Sequence, residues 1–214
     1  MRSPSGTLHF LAASLPLAVM MAVIFAVWGA EHEILWAFRL HKADHHLTRQ
    51  IMFWITDYTN LAVYLVYLTM LVRGIRNKRM DVVKMVAAFA VIQFLVCFGL
   101  VNLVKVALGR PRPMTEAPFY DFVSLDHFYH SLPSGHTAEI FGAVMPLVLT
   151  VKRWPITIVL GLVAALVGFS RIYLYQHYPS DVAFGWLFGA YSGLAAYTYW
   201  KHIQNKAGEP IRKR

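Results

Sequence analysis

Six apolar stretches, at residues 8–30, 51–72, 82–104, 137–151, 155–169 and 182–200, dominate this sequence and leave it few ways to fold. Backbone amides in hydrocarbon must pair within the chain, so a run of about 20 apolar residues has one simple solution, a spanning helix. The sequence therefore predicts an all-α, polytopic membrane helix bundle with about six transmembrane helices. A composition of 57% hydrophobic and 14% charged residues excludes an ordinary soluble domain. Stretches 137–151 and 155–169 are short and are expected to extend into flanking polar residues. The first stretch exceeds a signal-peptide core, follows only Arg2, and carries bulky Trp28 where a cleavage site needs a small residue, so it reads as a retained helix. Residues 31–50 mix charges with aromatics and are expected to lie at the interface as an amphipathic segment.

Charge sets the orientation. The net charge of +9 invites a nucleic-acid reading, but its distribution fits membrane topology instead, and no nucleic-acid partner is expected. With the N-terminus in the cytoplasm, Arg2, Arg73, Arg76, Lys78, Arg79, Lys84, Lys152, Arg153, Lys201, Lys206, Arg212, Lys213 and Arg214 all fall inside. Both termini are then cytoplasmic. The outer side holds Arg39, Lys42, Arg49, Lys105, Arg110, Arg112 and Arg171, and these exceptions to the positive-inside rule need a reason. Cys97 is the sole cysteine and lies in an apolar run, which rules out an intrachain disulfide and a cysteine metal site. No repeat or long linker divides the chain, so residues 1–214 read as a single membrane-embedded domain.

The outer exceptions cluster. Lys105 ends the third span, His136 opens the fourth, Arg171 ends the fifth and Asp181 opens the sixth, so alternating spans bring them to one face. Arginine and lysine cost about 2.5–3.5 kcal/mol each at mid-bilayer and less near its edge, so several together point to an anionic partner. The helix N-termini there add unpaired N–H groups and a positive dipole end.

Lys105-x6-Arg112-Pro113, then Pro133-Ser134-Gly135-His136, then Ser170-Arg171-x5-His177-x3-Asp181 resemble the three-part signature of the type 2 phosphatidic acid phosphatase family. Every signature position between residues 105 and 181 is matched, in order and at the right spacing. The resemblance implies a metal-independent phosphatase acting on a membrane lipid phosphate or pyrophosphate, with no cofactor and its site on the non-cytoplasmic face of the cytoplasmic membrane. His177 would be the nucleophile that forms a phosphohistidine, Asp181 its orienting carboxylate and His136 the general acid. Lys105, Arg112 and Arg171 would hold the phosphoryl oxygens, with Ser134 and Gly135 completing the cradle.

Each residue also has a plainer reading. Single interfacial histidines are ordinarily structural, basic residues at helix ends snorkel to headgroups, and Ser134 with Asp181 suits a helix start. Their joint arrangement favours the chemical reading. Arg110, two residues from Arg112, is placed either against substrate or as a solvated loop arginine, and is left outside the core site. His41, Asp44, His45 and His46 have metal-binding side chains, but one short interfacial stretch rarely closes a metal site, and headgroup contact is the expectation. His127 and His130 are expected at a rim or in a plain loop. Glu139, about one turn into its span from His136, has an open role. The tryptophans suit interfacial belts or helix packing.

Polyprenyl pyrophosphate, phosphatidylglycerophosphate, phosphatidic acid and lipid A phosphate present similar groups to such a site. A phosphotransferase would use the same intermediate. A vanadium-dependent haloperoxidase resembles the family in its anion site, but the spans and short loops argue against it. A non-enzymatic lipid carrier would need neither histidine. Oligomeric state is not encoded in any of these features.

Overall fold

A computed structural model describes residues 5–115, 117 and 119–206, so the basic residues Arg2, Arg212, Lys213 and Arg214 lie outside the described residues. The described chain forms α1 (Gly6–Trp28), α2 (Glu31–Asp44), α3 (His46–Arg76), α4 (Met80–Gln93), α5 (Val101–Leu108), α6 (Gly135–Val151), α7 (Trp154–Tyr173) and α8 (Pro179–Lys206). A wider π-helical segment, Phe94–Leu100, joins α4 to α5 without breaking the rod. No strand occurs among the described residues.

Four helical rods are long and apolar enough to cross a membrane: α1, α3, the α4–α5 rod and α7. The other two expected spans differ. Helix α6 has 17 residues. It tolerates that length because it is the core of the bundle, with residues from Thr137 to Leu149 buried on nearly every side. Helix α8 has 28 residues, but Lys201, His202, Gln204 and Lys206 make its far end polar. The segment expected at 31–50 divides: α2 is the amphipathic piece, burying Ile34, Leu35 and Phe38, and the remainder joins α3. Helix propensity runs on through His46–Gln50 because no Gly or Pro interrupts it.

Helices α6 and α8 pack most extensively, α1 lies along α7, and α3 and α4 cover the remaining sides. Apolar side chains gain little by leaving lipid for protein, so membrane helices associate through close backbone approach and interhelical hydrogen bonds. The sequence supplies a small-residue seam: Gly185, Gly189 and Gly193 recur every fourth residue on α8. A β-carbon on Gly189 would meet the Ala138 carbonyl and Phe141. Polar ties lock the same interface, with Ser192 donating to Gln93 Oε1 (2.8 Å) while Gln93 Nε2 donates to the Glu139 carbonyl (2.9 Å).

Successive rods alternate in direction, joined by short connections apart from the longer loop of residues 109–134 between α5 and α6. The C-termini of α5 and α7 and the N-termini of α6 and α8 therefore share one end. Arg73, Arg76, Lys78, Arg79, Lys152 and Arg153 sit at the opposite end.

Alanine normally stabilises a helix relative to glycine by about 1 kcal/mol. Gly189→Ala should instead lower the thermal unfolding temperature in detergent, because overpacking a tight interface costs about 1–3 kcal/mol. Gly99→Ala, where the new β-carbon meets only the Phe94 carbonyl at 3.8 Å, should not. Equal effects at the two positions would refute the seam.

Candidate active site

The third motif is bent into a tight loop. Helix α7 ends at Tyr173, the N–H groups of Gln176 and His177 turn back onto the Arg171 carbonyl (3.1 and 3.2 Å), and Pro179 starts α8. This folding buries His177 at 1% exposure and Asp181, four residues on, at 0%. His177 Nδ1 lies 3.5 Å from Asp181 Oδ2. That distance allows strong electrostatic contact but is too long for a good hydrogen bond, and Nδ1 has no other acceptor. Catalytic contacts often stand this far apart before a ligand binds. Burial pushes the His177 imidazole down to about 4 against the opposing pull of Asp181, so the ring is neutral at neutral pH.

Asp181 is held on all sides. Arg110 Nη1 donates to Oδ1 at 2.6 Å, Tyr178 N–H donates to Oδ2 at 2.9 Å, and the Ser131 hydroxyl donates to the same oxygen. Its backbone carbonyl accepts from the N–H of Ser134 at 2.9 Å. That bond joins the third motif to the second, because Ser134 is the N-cap of α6. The Ser134 hydroxyl accepts from Thr137 Oγ1 (2.9 Å) and is buried.

The cations come from three elements. Lys105, in the last turn of α5, places Nζ 3.1 Å from where a Gly135 β-carbon would stand, so glycine makes room for the ammonium group. Arg112 is anchored in the loop by bonds from Nε to the His127 carbonyl and from Nη1 to Gln176 Oε1, each 3.1 Å. Arg171 is buried at 7% exposure; Nη1 donates to Thr56 Oγ1 at 3.0 Å, while Nε has no partner. His136, in the first turn of α6, lies in the field of Arg171, His177, Lys105 and Arg112. A buried neutral imidazole, a second histidine, three cations and the N-terminus of α6 have the charge and donors that suit a tetrahedral oxyanion.

All eight residues expected from the sequence occupy this one end of the bundle. Arg110 is a correction: it is no solvated loop arginine but ion-pairs with Asp181 and, at 3.3 Å, with Glu31. Sequence reading also passed over Ser131, Thr56 and Asn60. Thr56 and Asn60, four residues apart in an otherwise apolar run, were the available signal. Asn60 Nδ2 donates to Glu139 Oε2 at 3.1 Å, which gives that intramembrane acid its partner. His130 Nε2 meets the Ser124 carbonyl at 2.8 Å inside the loop. His41 and His45 stack with centroids 3.8 Å apart, and His41 Nδ1 pairs with the Tyr173 hydroxyl at 2.8 Å.

An integral membrane protein, built as a helix bundle with a cationic histidine site at one end, is the class these features define. The chain belongs to the PAP2 superfamily, which residues 81–204 match. Its relatives include an undecaprenyl-diphosphatase of Sulfolobus acidocaldarius, 29% identical over 130 residues, covering 58% of this chain and 56% of that protein. A lipid A 1-phosphatase of Rhizobium johnstonii is 33% identical over 103 residues, covering 44% and 40%. The undecaprenyl-diphosphatase BcrC of Bacillus subtilis is 30% identical over 149 residues, covering 67% and 71%. The chain thus spans about half the length of the first two relatives. The crystal structure of a transmembrane PAP2 type phosphatidylglycerolphosphate phosphatase from Bacillus subtilis shares the fold, with a TM-score of 0.52 at 22% identity over 94% of this chain and 98% of that one.

Orthovanadate, a tetrahedral oxyanion, should raise the thermal unfolding temperature of the purified protein by mass action. Arg171→Lys keeps the charge but not the planar fork that reaches Thr56 and a ligand together. It should weaken the vanadate midpoint about tenfold, or about 1.4 kcal/mol. An unchanged midpoint would remove Arg171 from the anion site.

Proposed function

We propose that this protein is a lipid phosphate or pyrophosphate phosphohydrolase that needs no metal ion and works through a phosphohistidine. The convergence of His177, Asp181 and three cations on one buried point carries the reading. His177 Nε2 attacks phosphorus in line as the bond to the leaving oxygen breaks, and His136 gives that oxygen its proton. Asp181 accepts from Nδ1–H and stabilises the charge that develops on the ring. Lys105, Arg112 and Arg171 hold the three equatorial oxygens, with Ser134 and the Gly135 N–H at their edge. Water then attacks phosphorus, the P–N bond breaks, and phosphate leaves with His177 restored. The cations already supply the positive charge a metal would bring, so the chemistry does not require one.

Membrane placement follows the same reasoning. The bundle would cross the bilayer six times, with both termini in the cytoplasm and the site on the outer face of the cytoplasmic membrane. Its substrate would enter from the outer leaflet with the tail still among lipids. The names of the undecaprenyl-diphosphatase and lipid A phosphatase relatives make polyprenyl pyrophosphates and lipid A phosphates the first substrates to test.

The deciding measurement is phosphate release by purified protein in mixed micelles, across long-chain lipid phosphates and pyrophosphates at fixed surface fraction. A soluble short-chain analogue should be a poor substrate. Activity should survive chelator and fall with vanadate, and His177→Ala should lower kcat by about 10³-fold or more. Substantial turnover by His177→Ala, or complete loss in chelator reversed by one divalent ion, would refute the mechanism. Transfer of phosphate to a second lipid in place of water would reassign the protein as a phosphotransferase.

Sidedness is tested in intact cells lacking Cys97. Leu125→Cys, 86% exposed on the loop before α6, should label with an impermeant maleimide, whereas Lys78→Cys should not. The reverse pattern would invert the proposed orientation.

A further inference from the structure

Arg110 stands between two carboxylates. Nη1 reaches Asp181 Oδ1 at 2.6 Å and Nη2 reaches Glu31 Oε2 at 3.3 Å. Glu31 opens α2, and its other oxygen, Oε1, accepts the N–H of Ser180 in the first turn of α8. One carboxylate therefore fixes both the cation bonded to Asp181 and the helix start that carries Asp181. The guanidinium is further held over the Tyr178 ring, 4.1 Å from its centroid.

The far end of α2 grips the other side of the same loop. Lys42 Nζ donates to the Leu174 carbonyl at 3.0 Å, and His41 pairs with the Tyr173 hydroxyl. Arg39 and Lys42 both lie over the ring of Tyr175, at 5.6 and 5.0 Å, and that residue holds a left-handed φ of 65°. Without glycine, such a backbone persists only where its surroundings impose it. Helix α2 spans the nucleophile loop and is tied down on both sides of His177. It precedes residues 81–204, the part matched to the family, so none of the three motifs contains it.

We propose that Glu31 is a positioning residue: acting through Arg110, it sets the charge and direction of the Asp181 carboxylate that faces His177. The proposal rests on the reading that His177 and Asp181 carry the chemistry. A guanidinium bound to Asp181 alone would compete with the imidazolium for the same negative charge. By sharing that guanidinium, Glu31 leaves Asp181 free to support His177 as phosphorus–nitrogen bonding begins. The contribution belongs to the transition state, because the imidazole is neutral before attack. It is therefore expected in kcat rather than in KM.

The test uses the full-length protein in mixed micelles with a long-chain lipid phosphate. Glu31→Gln can still accept from Ser180 N–H through its amide oxygen but loses the charge opposite Arg110. It should lower kcat about tenfold with KM within twofold of wild type. Glu33→Gln, on the same turn of α2 but bonded to Ala30 N–H, should leave kcat within twofold. Because Glu31 acts through Arg110, the double variant Glu31→Gln/Arg110→Gln should be no slower than Arg110→Gln alone. If Glu31→Gln does not purify as a folded species, Arg110→Lys poses the same question. Lysine lacks the two separate nitrogen arms with which Arg110 reaches Asp181 and Glu31, so the variant's kcat should fall with KM unchanged. Wild-type kcat in Glu31→Gln or Arg110→Lys, or losses that multiply in the double variant, would overturn the proposal while inactivity of His177→Ala leaves the mechanism standing. Substantial turnover by His177→Ala would overturn both.

Discussion

One buried carboxylate gathers this site. Asp181 accepts hydrogen bonds from Arg110, Ser131 and Tyr178, faces His177, and offers its carbonyl to Ser134. Those partners come from the loop after α5, the segment before α6 and the loop that carries His177. An ionised carboxylate at 0% exposure is costly unless charges and donors surround it, and here they do. Arg110 supplies the compensating charge, and the Ser131 hydroxyl and Tyr178 N–H supply the remaining donors. The geometry of three sequence-distant segments is thus tied to one side chain.

The bundle beneath permits that gathering. Helix packing in a membrane depends on backbones coming close, and the glycine seam on α8 brings its axis against α6. Because α6 and α8 both begin at the site, the seam sets the separation of Ser134 from Asp181 and of His136 from His177. Arg171 reaches the same end from α7 and is braced by Thr56, so α3 contributes a support as well. Pairings such as Asn60 with Glu139 and Ser192 with Gln93 then satisfy polar groups that lipid could not.

Helix α2 adds a layer that the three motifs do not contain. It fastens the loop that carries His177 through Glu31 at one end and Lys42 with His41 at the other. The histidine-rich stretch at residues 41–46 is in this sense part of the loop's anchorage, with His41 on Tyr173 and His45 stacked on His41. Within it, His41 and His45 have a tyrosine hydroxyl, a backbone carbonyl and each other's rings as neighbours. The basic residues Arg39, Lys42 and Arg110 likewise have specific partners in the protein.

The sequence by itself determined the all-helical class and the helix order, and its motifs singled out eight candidate site residues, because each depends on local features. Apolar length dictates a spanning helix, and motif spacing is fixed along the chain. It also implied which residues share an end of the bundle, since alternating helices leave no other choice. Only the tertiary structure decided that Arg110 and Glu31 belong with Asp181, that Thr56 braces Arg171, and that a 17-residue helix forms the core. Those facts depend on contacts between residues dozens of positions apart, up to 149 in the case of Glu31 and Ser180. A glutamate at the start of an amphipathic helix looks the same in sequence whether it faces water or an arginine. Its partner exists only once the helices have packed.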